Sequence, residues 1–398
     1  MSSGSPSPRR LRILFLAPQP FFEVRGTPLA VLHMTRALVA LGHEVDLLTF
    51  PQGAPAPSDG VRHLRSPRLP VGRVKAGPSF AKLALDLPFL AEAVCRLATG
   101  RYDVVHAVEE AAHLIAPFAR LLRVPLVMDV DSSIPDQLRY SGFATRGPIL
   151  WLAEALERHA LRHAAVAVTV CGSLTSGVRS RAPELPVFQV EDPPLADRRD
   201  PPAPEAVAAL RGALGLSSLP VVLYSGNFEP YQGVELLVEA VSRLPQAQLL
   251  LMGGEPHEIE ALREKARALG SLARCIFSGK RPPSELPLFL ALADVLASPR
   301  VAGENTPFKL YTYLASGKPI VATHIATHTQ VLDDQNAFLA APTPAAFAEA
   351  LRQALERPDE ARARAERGYS LIEREYGLVR YREKIARAYA AVERLSGR

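Results

Sequence analysis

A polar stretch over residues 303–319 carries the side chains best suited to bind a ligand. Thr306 followed by Pro307 predicts the start of a helix over residues 307–316, because threonine is a frequent N-cap and proline fits the first helical position. Lys309 falls in the first turn, where free N–H groups and the helix dipole attract an anion and disfavour a cation. Two interpretations follow: Lys309 is a solvated surface lysine, or it contacts a bound phosphate.

Apolar stretches flank this helix at residues 294–298 and 320–323, and both are predicted to be strands. Strand, polar loop, helix and strand in this order form the repeating unit of a parallel sheet. The loop then follows the carboxyl end of a strand, where open α/β sheets bind their ligands. The pattern therefore predicts a ligand site in the loop before the helix.

The same alternation of strands and helices extends through both halves of the chain. Further apolar stretches predicted as strands lie at residues 11–17, 44–50, 102–107, 125–130, 165–170, 186–190, 220–224, 247–252 and 274–278. Helical spacing and end signals predict helices that include residues 148–163, 231–244, 255–269 and 378–395. Residues 52–77 are predicted as a loop, and residues 192–204, with five prolines, as an interdomain linker.

Composition limits the class of protein. The 398 residues are 48% apolar and 22% charged, which is typical of a globular chain long enough for two domains. Cys95, Cys171 and Cys275 lack the spacing of a metal site or a disulfide framework, which favours a reducing compartment. No apolar run approaches the roughly 20 residues that span a bilayer, so we expect a cytoplasmic protein. The net charge of +5 suits anionic ligands or an anionic membrane surface.

A basic segment precedes an apolar stretch at residues 83–97. It contains several arginines and lysines and no acidic residue: Arg62, Arg65, Arg68, Arg73, Lys75 and Lys82. A basic loop beside an amphipathic helix suggests peripheral contact with an anionic membrane, at its inner face for a cytoplasmic protein. The alternative is a solvated loop.

Three segments of the second half resemble the donor half of the family 4 retaining glycosyltransferases, which have the GT-B fold. They are residues 224–228, 232–233 and 303–319. The resemblance implies an α/β protein with two Rossmann-like domains facing a cleft. Residues 11–192 would form the acceptor-side domain, residues 205–377 the donor-binding domain, and residues 378–398 a C-terminal helix that crosses back onto the first domain.

The resemblance also implies an activity. A sugar would move from a nucleotide-diphosphate sugar to a glycan, lipid-linked or small-molecule acceptor, with retained anomeric configuration and without a metal or cofactor. Nucleic acid is not expected as a partner. Glu304 corresponds to a family glutamate that contacts the donor sugar, and His106 and Asp131 are the catalytic candidates of the first domain.

Asp131 has a second interpretation. Its spacing from Asp129 resembles the metal-binding motif of the other glycosyltransferase fold, GT-A, and carboxylates there would suit Mg²⁺ or Mn²⁺. Because two acidic residues at this spacing are common by chance, we favour a position for Asp131 on the cleft side of its domain, without metal.

The sequence departs from the family pattern at the donor site. Thr312 stands where the family has a ribose-binding glutamate, and the neutral Asn227 and Gln232 stand where it has an arginine and a lysine. Lys309 is then the first candidate for the charge that holds the diphosphate, with Arg300 or Arg281 next. The full set of donor-binding candidates is Gly26, Gly226, Asn227, Gln232, Lys280, Arg281, Arg300, Asn305, Thr306, Phe308, Lys309 and Thr312.

These departures leave two other classes of function open. The protein could bind a sugar nucleotide or glycan without transferring a sugar, or it could hydrolyse or epimerise a sugar nucleotide on the same fold. The presence of Glu304 and of a well-formed donor loop favours the transferase.

Overall fold

The computed structural model describes residues 9–22, 26–54, 59–70, 80–140, 146–303 and 305–396. The chain forms two compact units. Unit 1 comprises Met1–Asp192 and Val379–Arg398, and unit 2 comprises Pro193–Leu378. Each unit contains one sheet, and its helices supply the apolar side chains that cover that sheet.

Unit 1 is built on a seven-stranded sheet in the order β3-β2-β1-β4-β5-β6-β7, and every strand pair is parallel. The strands are β1 (Arg12–Ala17), β2 (Glu44–Thr49), β3 (Val61–Arg65), β4 (Val104–Val108), β5 (Leu126–Val130), β6 (Val166–Thr169) and β7 (Val187–Gln189). Central strands such as β4 and β5 are buried along their full length. They are mainly apolar because helices cover both faces of a parallel sheet, and each contains one buried polar residue, His106 in β4 and Asp129 in β5.

The helices of the first part of unit 1 connect these strands. They are α1 (Gly26–Ala40), α2 (Phe80–Thr99), α3 (Glu110–Leu121), α4 (Ile134–Tyr140), α5 (Pro148–His163) and α6 (Gly172–Arg181). α5 begins at a proline, a position where the missing N–H costs no helical hydrogen bond.

Unit 2 repeats the plan with a six-stranded parallel sheet in the order β10-β9-β8-β11-β12-β13. Its strands are β8 (Val221–Ser225), β9 (Gln248–Met252), β10 (Cys275–Gly279), β11 (Val295–Ser298), β12 (Ile320–Thr323) and β13 (Phe338–Ala340). Its helices are α7 (Pro204–Ala213), α8 (Val234–Ser242), α9 (Pro256–Ala268), α10 (Leu286–Leu292), α11 (Lys309–Ala315), α12 (Ala326–Thr329), α13 (Pro344–Glu356) and α14 (Pro358–Leu371).

The last helix, α15 (Leu378–Ser396), packs into the core of unit 1. Its buried residues Ile385, Tyr389 and Val392 lie in one apolar cluster with Ile13 and Phe15 of β1. An amphipathic helix whose apolar face is buried in this way is held by packing more than by intrinsic helix propensity. The final segment of the chain is therefore part of the folded core of unit 1.

Three expectations need correction. The predicted loop over residues 52–77 contains the edge strand β3, which pairs in parallel with β2. The predicted helix over residues 231–244 is divided, because Gly233 adopts a left-handed conformation between a short 3₁₀ turn and α8. The helix predicted to begin at Pro307 begins at Lys309, so Thr306 is not its N-cap.

A buried contact between α15 and β4 gives a prediction about the stability of unit 1. The hydroxyl of Tyr389 lies 2.9 Å from Nδ1 of His106. Tyr389→Phe should lower the free energy of unfolding by about 1–3 kcal/mol, since it leaves a buried ring nitrogen without its partner. Urea unfolding followed by circular dichroism measures the change.

Tyr381→Phe is the matched control on the same helix. Tyr381 is also buried, but the ring nitrogens of His106 contact Tyr389 and Asp129 and not Tyr381. Equal losses for the two variants would show that the contact with His106 contributes nothing specific.

Candidate functional site

The carboxyl ends of β8, β9 and β10 approach one another closely in unit 2. The N–H of Gly226 donates to the carbonyl of Met252 (3.0 Å), and the N–H of Gly253 donates to that of Gly279 (2.8 Å). A Cβ on Gly253 would lie 1.8 Å from the carbonyl oxygen of Gly226, so only glycine fits there. This packing leaves the backbone of Gly226 exposed at the end of β8.

Lys309, the first residue of α11, extends toward this strand end. Its Nζ lies 3.8 Å from the ring centroid of Tyr224 and 3.3 Å from Oε1 of Gln232, to which it donates. A Cβ on Gly226 would lie 2.8 Å from the same Nζ. The structure therefore brings together Gly226, Gln232 and Lys309, which are far apart in the sequence, and Lys309 is not a solvated surface lysine.

The electrostatic environment of Lys309 is unusual for a cation. Burial first, and the charge of Arg300 second, lower the pKa of Lys309 well below its ordinary value. Within the described residues no carboxylate pairs with Nζ, and its contacts are the Tyr224 ring and the neutral Gln232 amide. A cation held beside exposed glycine backbone without a counter-ion is suited to receive an anion.

Arg300 organises the loop that precedes α11. It is only 6% exposed, and its guanidinium donates through Nε to the carbonyl of Ala302 (2.7 Å) and through Nη1 to that of Asn305 (2.9 Å). The same group lies 5.2 Å from the ring centroid of Tyr231. These hydrogen bonds from Arg300 fix the backbone of the loop at Ala302 and Asn305.

Glu304, in the same loop, lies outside the described residues, and its predicted contact with a donor sugar stays a prediction.

Two threonines near α11 have surroundings that differ from those expected. Thr312 is 1% exposed, and its hydroxyl accepts a hydrogen bond from the N–H of Leu195 (3.0 Å), so it fastens the segment before α7. Its predicted contact with a ribose stays a prediction. The buried hydroxyl of Thr306 has no hydrogen-bond partner among the described residues, and the backbone of Phe308 takes the N-cap position.

The other donor-site candidates of unit 2 have different hydrogen-bond and ion-pair partners from those of Lys309. Lys280 forms an ion pair with Glu255 at 2.5 Å. Arg281 donates to the carbonyl of Ser278 (3.2 Å) and lies 3.7 Å from Glu285. Both side chains follow the end of β10, where each is held by its local partner. The exposed Asn227 accepts, through its carbonyl, a hydrogen bond from the hydroxyl of Tyr224 (2.6 Å).

His106, a predicted catalytic residue of unit 1, is fully buried. Its Nε2 lies 3.1 Å from a carboxylate oxygen of Asp129, its Nδ1 contacts Tyr389, and its ring stacks on Phe15 at 4.3 Å. Because its side chain is 0% exposed, it cannot contact a substrate in this structure. The predicted catalytic role of His106 stays a prediction, and in this structure its side chain connects β4, β5 and α15.

Asp131 lies just beyond the end of β5 and is 9% exposed. Burial, followed by the charges of Asp129, Glu109 and Asp192, raises the pKa of Asp131 well above its ordinary value. Burial and the neighbouring carboxylates of Asp129 and Glu191 likewise raise the pKa of Asp192 to about 8. With a pKa of about 8, the carboxyl group of Asp192 is largely protonated at neutral pH and can donate a hydrogen bond.

For unit 1, phosphate contact at Gly26 was an expectation, and a metal site at Asp131 was the less favoured interpretation. Over the described ranges, no group of three or more histidine, cysteine, aspartate or glutamate side chains is arranged to hold a metal ion. Gly26 is exposed and begins α1, and a Cβ on it would meet no atom within 4 Å. Its predicted approach to phosphate stays a prediction.

Sequence reasoning missed the aromatic support of the site. Tyr224 and Tyr313 are buried, and the hydroxyl of Tyr313 accepts a hydrogen bond from the N–H of Ser225 (2.9 Å). His328, also buried, lies 2.9 Å from the hydroxyl of Ser298. Buried aromatic residues in strands and helices are usually core, so the sequence carried no signal that these support a ligand site.

Comparison with known proteins identifies the family. Residues 25–190 match the description "Glycosyl transferase 4-like domain", and residues 219–357 match "Glycosyl transferases group 1". The two matches together cover more than half of the chain and follow the division into two units. The chain belongs to the group 1 glycosyltransferases, as its sequence predicted.

Solved structures with this fold include a sucrose-phosphate synthase from Thermosynechococcus elongatus, with a TM-score of 0.79 and 19% identity over 97% of this chain and 100% of that one. The Anabaena HepE protein in complex with UDP-glucose gives a TM-score of 0.76 and 19% identity over 96% of this chain and 100% of that one. These similarities confirm the predicted GT-B fold.

Relatives by sequence are also glycosyltransferases. The sulfoquinovosyl transferase of Arabidopsis thaliana is 24% identical over 79% of this chain and 59% of its own length. The D-inositol 3-phosphate glycosyltransferase of Xylanimonas cellulosilytica is 28% identical over 89% of each chain. A GDP-mannose-dependent mannosyltransferase acting on phosphatidylinositol monomannoside, from Mycolicibacterium smegmatis, is 36% identical over 33% of this chain and 37% of its own. The match thus spans less than two thirds of the first and third relatives.

The surroundings of Lys309 predict how nucleotide binding depends on charge. Lys309→Met should weaken the binding of a nucleoside diphosphate by about 10-fold or more, since a hydrogen bond to a charged group contributes roughly 1.5–3 kcal/mol. Lys265→Met is the control, because Lys265 is a lysine of α9 already paired with Glu235 (3.0 Å) and Glu239 (2.6 Å). Isothermal titration measures both affinities.

The same titration has a pH dependence with a defined sign. The free protein has a lowered Lys309 pKa, and a bound anion favours the charged form. Binding therefore takes up a proton at pH values between the free and bound pKa, and affinity falls as the pH rises through that window. Titrations in buffers of different ionisation enthalpy count this proton. Unchanged affinity in Lys309→Met would remove Lys309 from the site.

Proposed function

We propose that the protein transfers a sugar from a nucleotide-diphosphate sugar, bound by unit 2, to an acceptor bound by unit 1, with retention of the anomeric configuration. The observation that carries this proposal is the position of Lys309, a lysine that has no carboxylate partner among the described residues and lies beside the exposed Gly226 backbone. The family of the chain supports the class of reaction.

Lys309 has a defined task in this reaction. When the bond between the sugar and the diphosphate breaks, negative charge grows on the leaving oxygen of the diphosphate. An ammonium group fixed next to that oxygen stabilises the transition state more than the ground state, which raises the rate. A charge has a larger effect where little water screens it. Within the described part of the chain, no carboxylate pairs with Nζ of Lys309. Glu304 would hold the sugar in the orientation for transfer.

The names of the relatives suggest a class of donor and acceptor for this chain. One is named for GDP-mannose and a phosphatidylinositol monomannoside, another for an inositol phosphate, and a solved structure of the fold contains UDP-glucose. For this chain we propose a hexose donor carried on UDP or GDP. The acceptor would be a polyol, either a glycan or a lipid-linked headgroup.

The proposal predicts that the intact protein binds and slowly hydrolyses a nucleotide sugar when no acceptor is present. A panel of UDP-, GDP-, ADP- and dTDP-hexoses, with release of the nucleoside diphosphate as the readout, should show one preferred donor. Glu304→Gln should lower turnover by about 100-fold while the protein still folds, as expected for the loss of a positioning contact. Nuclear magnetic resonance of the released or transferred sugar reports the anomeric configuration.

No binding and no turnover with any donor of the panel would reject the transferase. Binding without turnover would support the second candidate function, a non-catalytic sugar-nucleotide protein. The observation that favours this alternative is the engagement of Thr312 with Leu195, together with the neutral Asn227 and Gln232.

We also propose peripheral contact with a membrane, and this proposal rests on exposed leucines of α2. Leu83 and Leu87, one helical turn apart, are 61% and 72% exposed. The basic residues predicted to assist them are partly engaged elsewhere, since Arg62 lies 3.7 Å from Asp46 and Lys82 pairs with Glu110. Arg68 is exposed, whereas Arg73 and Lys75 lie outside the described residues. In the part of the chain that the structure describes, no helix has the length and apolar character needed to cross a bilayer.

Liposome flotation tests this contact. The protein should float with vesicles that contain anionic lipid, and replacing Leu83 and Leu87 by glutamate should reduce its recovery. Leu121→Glu, at a leucine that is 77% exposed on α3, is the control for an added charge elsewhere on the surface of unit 1. Equal recovery of both variants and the wild type, or no flotation at all, would reject membrane contact through α2.

A further inference from the structure

A buried hydrogen-bonded group lies at the carboxyl ends of β11 and β12. Ser298 is the last residue of β11, Thr323 is the last residue of β12, and His328 lies in α12. Their exposures are 1%, 0% and 0%. Most polar side chains at this depth hydrogen-bond to one another or to backbone.

The contacts determine the hydrogen positions in this group. Nδ1 of His328 lies 2.8 Å from the backbone carbonyl of Thr323, which can only accept, so Nδ1 carries the hydrogen. Nε2 then accepts from the hydroxyl of Ser298 at 2.9 Å. Burial is the largest cause that lowers the pKa of His328 to about 4. The hydrogen bond that Nδ1 donates to the Thr323 carbonyl opposes this shift, and the charges of Arg300 and Lys309 add to it. The ring is therefore neutral across the physiological pH range.

The hydroxyl of Thr323 extends this group to the loop before α11. It donates to the backbone carbonyl of Arg300, and it lies 3.1 Å from Nδ1 of His328. A hydroxyl has one hydrogen to donate, so its orientation is determined once the Arg300 carbonyl accepts it. The imidazole of His328 therefore fixes the position of Thr323 through its hydrogen bond to the Thr323 carbonyl. The hydroxyl of Thr323 in turn fixes the backbone carbonyl of Arg300.

Arg300 then determines the course of the loop. Its guanidinium contacts the carbonyls of Ala302 and Asn305. Gly303 passes so close to it that a Cβ there would lie 2.1 Å from Nη2, with a φ of +133° that suits glycine. The N–H of Val301 donates to the carbonyl of Tyr231 (2.9 Å). Tyr231 directly precedes Gln232, which accepts a hydrogen bond from Lys309.

We propose that Thr323 is a positioning residue for the donor site, whose hydroxyl, oriented by His328 and Ser298, holds Arg300 and with it the loop over residues 300–305. The family resemblance assigned no role to these three residues. The activity arm of the test rests on the proposed transferase function, whereas the structural arm does not.

The test compares two substitutions at one position. Thr323→Val keeps the shape of the side chain and removes the hydroxyl, whereas Thr323→Ser keeps the hydroxyl and removes a methyl group. With the preferred donor, Thr323→Val should lower kcat/KM by about 10- to 100-fold, as expected for a small displacement of a positioned group. Thr323→Ser should remain close to the wild type. Ser298→Ala, which leaves His328 without its donor, should lower kcat/KM in the same direction.

Amide hydrogen exchange of the intact protein gives the structural arm. Peptides that contain residues 300–305 should exchange faster in Thr323→Val than in the wild type or Thr323→Ser, while peptides of β8 and β9 stay unchanged. Equal activity and exchange in Thr323→Val and the wild type would overturn the proposal, and so would equal losses in the valine and serine variants, which would indicate packing alone. If the wild type turns over no donor, the transferase fails, and the exchange arm still decides the role of Thr323.

Discussion

The site in unit 2 depends on one ammonium group that, in the part of the chain that the structure describes, has no carboxylate partner. Lys309 Nζ contacts the face of Tyr224 and the amide of Gln232, and Arg300 adds a second positive charge nearby. Burying a cation in this way costs free energy, because neither a ring nor an amide replaces the water that a charge loses. Such an arrangement is unfavourable for the free protein and becomes favourable when an anion binds.

The rest of the site can be understood as support for that group. Gly226 leaves room beside Nζ that a larger residue would fill, and Gly253 allows the neighbouring strand end to close against it. The guanidinium of Arg300 donates hydrogen bonds to the backbone of the adjacent loop. The hydroxyl of Thr323 donates to the backbone carbonyl of Arg300 and fixes its position. Side chains fixed by their own hydrogen bonds need little reorganisation when a ligand arrives, which is what electrostatic stabilisation of a transition state requires.

The sequence predicted the fold better than the site, for a physical reason. Strands buried on both faces, such as β8, appear as continuous apolar runs, whereas the edge strand β3 is only partly buried and carries Arg62, His63 and Arg65, so it was mistaken for loop. The position of Lys309 on the chain was evident, but its environment was not. It depends on Tyr224, which contacts it only after the sheet has formed. The surroundings of His106 could not be read from the local sequence either, because its ring contacts α15 at the far end of the chain.

Both units contain buried ionisable or polar groups that normally lower the stability of a fold, and the two units differ in which groups these are. In unit 2 they are concentrated around α11, with the Lys309 cation and the buried Thr306 hydroxyl that has no partner among the described residues. In unit 1 the departure involves acidic groups. Burial first, and neighbouring carboxylates second, raise the pKa of Asp131 well above its ordinary value and that of Asp192 to about 8. Structural interiors avoid both kinds of group, and functional sites collect them. The cationic departure suits a diphosphate. The acidic one suits a hydroxyl-bearing partner, since a protonated carboxyl group both donates and accepts hydrogen bonds.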